Sequence, residues 1–237
     1  PAPSVWSALA SRWDLFFPPR PARIDMCLRG LPQGGRVLDA GCSTGNLVRG
    51  LLERGCDAWG FDLDEGVVRE AQRRLGSEAH RVVQADLRDI GGVFPGLRFD
   101  RIVCLGQTFP HLLEDEHVEA FLLSARMRLM PGGRLYLQVV SDEHAPAERR
   151  LPTLSIDDWR LDRRRILLGD NRALLELRVA SSEDIQFWRV EQRQWTPGSL
   201  GEAASRCGLR SVAISSDESG APWTGAEPGW ILELEGI

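Results

Sequence analysis

The chain has 237 residues, is 43% hydrophobic and 27% charged, and carries a formal net charge of −5. That length fits one domain or one domain with a sizeable insertion, and the acidic balance gives no global attraction for nucleic-acid phosphates. No apolar run approaches the roughly 20 residues of a membrane span, so neither nucleic acid nor membrane is an expected partner.

The five cysteines (27, 42, 56, 104 and 207) form no C-x-x-C pair. Neither a disulfide framework nor a zinc site is expected, and a reducing cytoplasm is the expected location. The first residues, Pro1-Ala2-Pro3-Ser4, show no signal-peptide pattern.

Residues 4–17 place Val5, Trp6, Leu9, Trp13, Phe16 and Phe17 on one helical face, and Pro18, Pro19 and Pro21 stop that helix. A second helix is expected over 22–30. Arg36 to Ala40 reads as a buried strand, and Gly41-Cys42-Ser43-Thr44-Gly45 as a glycine turn into a helix over 46–54. Such a turn points backbone N–H groups and a helix N-terminus at a polar ligand. Asp57 to Asp62 is a second strand, and Asp64 caps a helix over 65–75. Strands over 80–85 and 101–105, a helix over 115–129, a helix stop and turn at Pro131-Gly132-Gly133, and a strand over 135–140 follow. Strands alternating with helices at this spacing predict a parallel, doubly wound sheet.

The pattern changes near residue 142. Residues 142–157 are charged and contain proline, so they read as a loop; strands over 159–168, 173–179 and 185–195 follow with short connections, an antiparallel meander. A helix over 197–207 and strands over 210–215 and 230–235 close the chain. Arg163-Arg164-Arg165 suggests phosphate binding, but alternation splits the run between two faces, and it reads as a solvated edge.

The chemistry concentrates at strand ends. The turn at 41–45 lacks the G-x-G-x-x-G pattern of nicotinamide binding. Asp39, directly before it, would repel a pyrophosphate and attract an ammonium. Asp62 ends the second strand roughly 20 residues on, where an acid takes the hydroxyls of a ribose. Asp86 ends the third, where it serves either a purine amino group or a helix cap, with Leu63 and Leu87 on either side of a base. Three acids at three successive strand ends mark the edge where α/β folds bind ligands.

Taken together, these motifs resemble the class I S-adenosylmethionine-dependent methyltransferases. Val37 to Gly45 is similar to the family's first motif, with Ser43 where glycine is usual; Gly60 to Asp64 resembles the second, Gln84 to Leu87 the third, Phe99 to Cys104 the fourth strand and Leu129 to Leu135 the turn into the fifth. The resemblance covers residues 33–140. It implies a seven-stranded, mostly parallel α/β sheet, doubly wound, with an antiparallel β insertion after the fifth strand. The expected divisions are an N-terminal helical cap (1–32), a cofactor-binding core (33–141), the insertion as substrate cover or dimer surface (142–195), and the C-terminal part of the core sheet (196–237).

By the same resemblance the cofactor is S-adenosylmethionine. Asp39 and Gly41 would hold its methionine end, with Cys42, Ser43 and Gly45 of the same turn also cofactor-binding; Asp62 would bind the ribose hydroxyls, and Asp86 and Leu87 would read the adenine, with Leu63 on the other side of the base. Leu105, Gly106 and Gln107 would line the sulfonium. Trp13 is the lid candidate, helix packing being the alternative for it and its aromatic neighbours. His111 and His144, each following a strand at the active edge, are the candidate general bases; a surface or helix-start role is the alternative for both. The expected activity is in-line methyl transfer to a small-molecule acceptor. An RNA or protein methyltransferase and a non-catalytic S-adenosylmethionine-binding module are the rivals, and a homodimer is compatible with the sequence.

Overall fold

Short apolar runs alternate with helix-period segments from Arg36 onward, and each becomes a strand or helix of one layered sheet. The computed structural model describes residues 4–140, 146–227 and 229–237. The first five strands are β1 (Arg36–Ala40), β2 (Asp57–Asp62), β3 (Val82–Gln84), β4 (Phe99–Cys104) and β5 (Leu129–Val140). The helices are α1 (Val5–Leu9), α2 (Trp13–Phe16) and α3 (Pro21–Leu28) before the sheet, then α4 (Asn46–Glu53), α5 (Glu65–Leu75) and α6 (Asp115–Arg128) within it. Next come β6 (Glu148–Ile156), β7 (Trp159–Gly169), β8 (Arg172–Ala180) and β9 (Ile185–Arg193), then α7 (Pro197–Arg206), β10 (Leu209–Ser215) and β11 (Gly229–Gly236).

The main sheet has seven strands in the order β3-β2-β1-β4-β5-β11-β10. Pairing is parallel from β3 to β5, and β11 runs antiparallel to both β5 and β10. One core cluster holds Leu38, Phe61, Phe99, Ile102, Phe121 and Trp230; a second holds Met26, Val37, Val48, Leu51 and Val103. Each such side chain, once buried, contributes about 1.5–3 kcal/mol. The alternation of β1 explains the two clusters: Val37 points to one face and Leu38 to the other. The expected α/β class, strand count and antiparallel insertion are all present.

The insertion is a four-stranded antiparallel sheet, β6-β7-β8-β9. Its Leu161, Leu177 and Val179 pack on Val5, Leu9 and Phe16 of the N-terminal segment, a third apolar cluster.

Four sequence expectations change. Residues 4–17 do not form one helix: a 3₁₀ turn at Ala10–Arg12 separates α1 from α2. That break lets Asp14 accept from Thr44 Oγ1 at 2.6 Å and pair with Arg74, while Phe16 still enters the third cluster. Pro131-Gly132-Gly133 lies inside β5, at a register shift against β4, so the turn is a bulge. Residues 148–156 form an edge strand, not a loop; its shift between Leu151 and Leu154 accommodates Pro152. The arginine run is not a solvated edge, because β7 is an interior strand paired on both sides. Arg164 turns outward to Glu148 and Glu176, whereas Arg165 turns inward and is buried.

Candidate active site

The site is the edge where β1, β2, β3 and β4 end. After Ala40 the chain reverses in a turn tied to β2, with Gly41 and Cys42 N–H groups donating to the Phe61 carbonyl at 2.8 and 2.9 Å. Gly41 sits at φ 86°, and a Cβ there would meet Thr108 Cγ2 at 2.4 Å. Only glycine fits, for conformation and space together. Ser43, where the resembling family has glycine, also adopts the left-handed region, at φ 49°. Its N–H donates to Asp62 Oδ2 at 2.9 Å. The strain is of order 1 kcal/mol and holds the turn against the end of β2. Gly45 then opens α4.

Asp39 is 5% exposed. Burial pushes its carboxyl up to about 7, the Asp62 charge adds to this, and the Arg23 guanidinium opposes it. Asp62 is also raised by burial, although the Ser43 and Asp64 N–H groups hold it down. Two acids raised by burial at neighbouring strand ends are suited to pair with a cation or with hydroxyl donors. Cys42 is buried and its thiol is pushed well up by burial, so it is wall rather than nucleophile.

Asp86 caps the 3₁₀ turn Leu87–Asp89. Its oxygens accept from the Arg88 N–H at 2.9 Å and from Arg88 Nε and Nη2 at 3.0 and 2.6 Å, and the arginine holds the carboxyl below its ordinary value. Leu87 is in the core at 9% exposed while Leu63 is 64% exposed, so of the two leucines Leu63 is the open one. Beyond β4, Leu105 is buried, and Gly106 and Gln107 both take positive φ, 68° and 70°. The Gly106 N–H donates to Gln138 Oε1 at 2.8 Å.

Arg23, from α3, carried no local signal in the sequence. It donates to Gln138 Oε1 at 3.4 Å and to Glu218 Oε1 at 3.1 Å, and is the charge that acts on Asp39. Glu218 is 2% exposed and also meets Arg20 at 2.9 Å. These partners lie 115 and 195 residues from Arg23, and only the fold unites them.

Trp13 stands between Trp6 and Phe17, with ring centroids 5.3 and 4.5 Å away. The N-terminal segment is latched to the turn at 41–45 and to the start of α5 by Asp14 on Thr44 and by Ser7 Oγ on Asp64 at 2.6 Å. His111 lies beyond β4, edge-on to Trp6 at 6.3 Å. Burial holds its imidazole below the ordinary value, the Glu191 backbone carbonyl opposes this, and the Arg165 charge reinforces it. A ring N–H given to that carbonyl leaves the other nitrogen able to accept a proton. The second candidate base, His144, lies outside the described residues.

Comparison with known proteins adds to this geometry. Residues 37–133 match the family described as a methyltransferase domain. The chain carries its likeness to methyltransferases in that segment, which is less than half of its length. It is 34% identical over 113 residues to the putative methyltransferase YqeM of Bacillus subtilis, covering 47% of this chain and 44% of that protein. It is 31% identical over 144 residues to a ubiquinone biosynthesis O-methyltransferase of Dechloromonas aromatica, covering 56% and 60%. The chain thus spans about half the length of these relatives. The fold matches the CcbJ methyltransferase of Streptomyces caelestis with a TM-score of 0.82 at 17% identity, over 98% of this chain and 96% of that one. Among the described residues no helix is long and apolar enough to cross a membrane.

Proposed function

We propose that this protein is an enzyme that transfers a methyl group from S-adenosylmethionine to a small-molecule acceptor. The observation that carries the reading is Asp39: a buried carboxylate, raised to about 7, at the end of the first strand and beside Arg23. An acid and a guanidinium held together there suit an amino-acid zwitterion, ammonium on Asp39 and carboxylate on Arg23. Asp62 would take the ribose hydroxyls, and Asp86 with Leu63 the adenine.

The cofactor supplies an activated methyl on a sulfonium. The protein's contribution is alignment and exclusion of water. Leu105 to Gln107 would line the site beside the sulfonium. The N-terminal segment and the small sheet would cover the site, since Trp6 stands against His111 and the Gln192 amide donates to the Gln107 carbonyl at 3.5 Å. His111, whose imidazole burial holds below its ordinary value, would accept a proton from the acceptor. Supporting a small acceptor are this cover and the sequence's acidic balance.

Isothermal titration with S-adenosylhomocysteine tests the reading. Binding to the full chain, weakened at least tenfold by Asp62→Ala, is expected; no binding overturns it.

A further inference from the structure

The turn that follows β10 sends one side chain into the molecule. Glu218 is 2% exposed, while Asp217, Ser219 and Gly220 around it are exposed. The turn holds that orientation by itself: the Ser219 N–H donates to Asp217 Oδ1 at 2.8 Å, the Ser216 N–H donates to the Ala221 carbonyl at 2.8 Å, and Gly220 takes φ 86°. Arg29, at the end of α3, donates to the Ser219 and Glu218 carbonyls at 3.0 and 2.9 Å. The Glu218 carboxylate takes one arginine on each oxygen, Arg20 on Oε2 at 2.9 Å and Arg23 on Oε1 at 3.1 Å. Arg20 and Arg29 moor the turn to the two ends of α3. Arg23 reaches further.

It joins this turn to the end of β4. Arg23 Nε is held by Glu218, and its Nη2 donates to Gln138 Oε1, the oxygen that also accepts the Gly106 N–H. Its Nη1 faces Gly106, 3.9 Å from where a Cβ on that glycine would stand, and has no partner among the described residues. The same charge acts on Asp39. A free arginine samples many rotamers and loses that freedom when it binds. With Nε and Nη2 fixed, the planar guanidinium keeps one direction, and Nη1 is the nitrogen left for a ligand.

We propose that Glu218 is a positioning residue of the cofactor site: by gripping Arg23 Nε it aims the guanidinium at the carboxylate of the cofactor's amino-acid end, and so sets the preference for ligands that carry that carboxylate. The inference rests on the methyl-transfer reading, in which Arg23 takes the carboxylate. Two ways for Glu218 to act predict opposite results. As a bare negative charge beside the site it favours cations, so its removal weakens a ligand carrying ammonium alone and spares a zwitterion. As a grip, its removal frees Arg23 and weakens only the ligand that has a carboxylate to hold.

The test titrates the full chain by calorimetry with S-adenosylhomocysteine and with its decarboxylated analogue, which keeps the adenosine, the thioether and the ammonium. The parent is expected to bind the first at least tenfold more tightly. Glu218→Gln is expected to weaken S-adenosylhomocysteine at least fivefold and to change the analogue less than twofold. Glu218→Asp keeps the charge and draws it back by one methylene; it should shift the two ligands in the same sense, and it serves where the Gln variant fails to fold. In an Arg23→Gln background, adding Glu218→Gln is expected to change S-adenosylhomocysteine affinity less than twofold, because no guanidinium remains to be aimed. Glu218 variants that leave both ligands unchanged, weaken both alike or weaken the analogue alone overturn the proposal, as does additivity with Arg23→Gln. A parent that binds both ligands equally overturns it too and leaves methyl transfer standing. Failure of the parent to bind S-adenosylhomocysteine is a separate result that sinks the methyl-transfer reading, and the role of Glu218 with it.

Discussion

The carboxyl edge of the main sheet and the outer face of the small sheet both carry many charges, arranged in opposite ways. On the outer face, Arg164 meets Glu148 and Glu176, Arg189 meets Glu176, and Arg160 and Arg178 meet Asp162. Every acid there has an arginine across the strand pair, in water. At the carboxyl edge Asp39 is buried and Asp62 half-buried at neighbouring strand ends, and Ser43 and Gln107 are held at positive φ. One face balances its charges within the protein. The other keeps raised carboxyls and backbone strain together, a combination that marks functional sites.

The largest effects belong to Asp39. Its folded-state pKa of about 7 lies above the ordinary carboxylate value of 3.8. Ionising it therefore costs folding stability progressively as pH rises from about 4 to 7, on the order of 2–4 kcal/mol in full. Asp39→Asn removes that cost. Its Tm at pH 8 is expected to exceed the parent's by roughly 5–10 °C, with the gap closing toward pH 4. The same change weakens S-adenosylmethionine binding by roughly 100-fold, because the ammonium loses its buried counter-charge. In the parent, affinity should fall as pH drops below 7, where Asp39 takes up a proton. A flat pH profile measured by calorimetry, or an Asn variant that binds like the parent, erases the contrast between the two faces.

Next in size is the latch. Asp14→Ala removes the acceptor of Thr44 and the partner of Arg74. It should cost about 1–3 kcal/mol in urea unfolding and loosen cofactor binding; a change in stability without a change in affinity would separate the N-terminal segment from the site. Smaller still is Ser43→Gly, expected to stabilise the chain by about 1 kcal/mol through relief of the positive φ. A loss of stability would mean that the serine side chain offsets its own strain. Smallest is Glu176→Gln on the outer face. Its Tm should match the parent's at 0.5 M salt, where exposed ion pairs of about this kind are screened.

Much of the carboxyl edge was legible because it is local. Asp39, Asp62 and the turn at 41–45 each follow an apolar run within a few residues, and alternation with helices fixes which edge those runs share. Ser43 stood out only as a serine where glycine is usual; its positive φ and its bond to Asp62 came from the structure. Arg23, Gln138 and Glu218 were invisible, being far apart in sequence and joined only by the crossing of α3 over the sheet. The strand at 148–156 was hidden by its charges and Pro152, since a bulge breaks the alternation a strand is recognised by. The directions of Arg164 and Arg165 depended on that missing strand: with β6 unrecognised, β7 looked like an edge.

All five cysteines are buried, from Cys27 and Cys104 at 0% to Cys56 at 8% exposed, and burial drives the thiols of Cys27, Cys42 and Cys104 upward. A thiol reagent can therefore modify the folded chain only through openings of the structure, and its rate becomes a clock for them. Cys42 times the opening of the turn at 41–45, and Cys207, at the end of α7, that of the far side of the sheet. A ligand seated on Asp39 and Asp62 would slow the first clock while leaving the second running, so residence at the site is readable without following turnover.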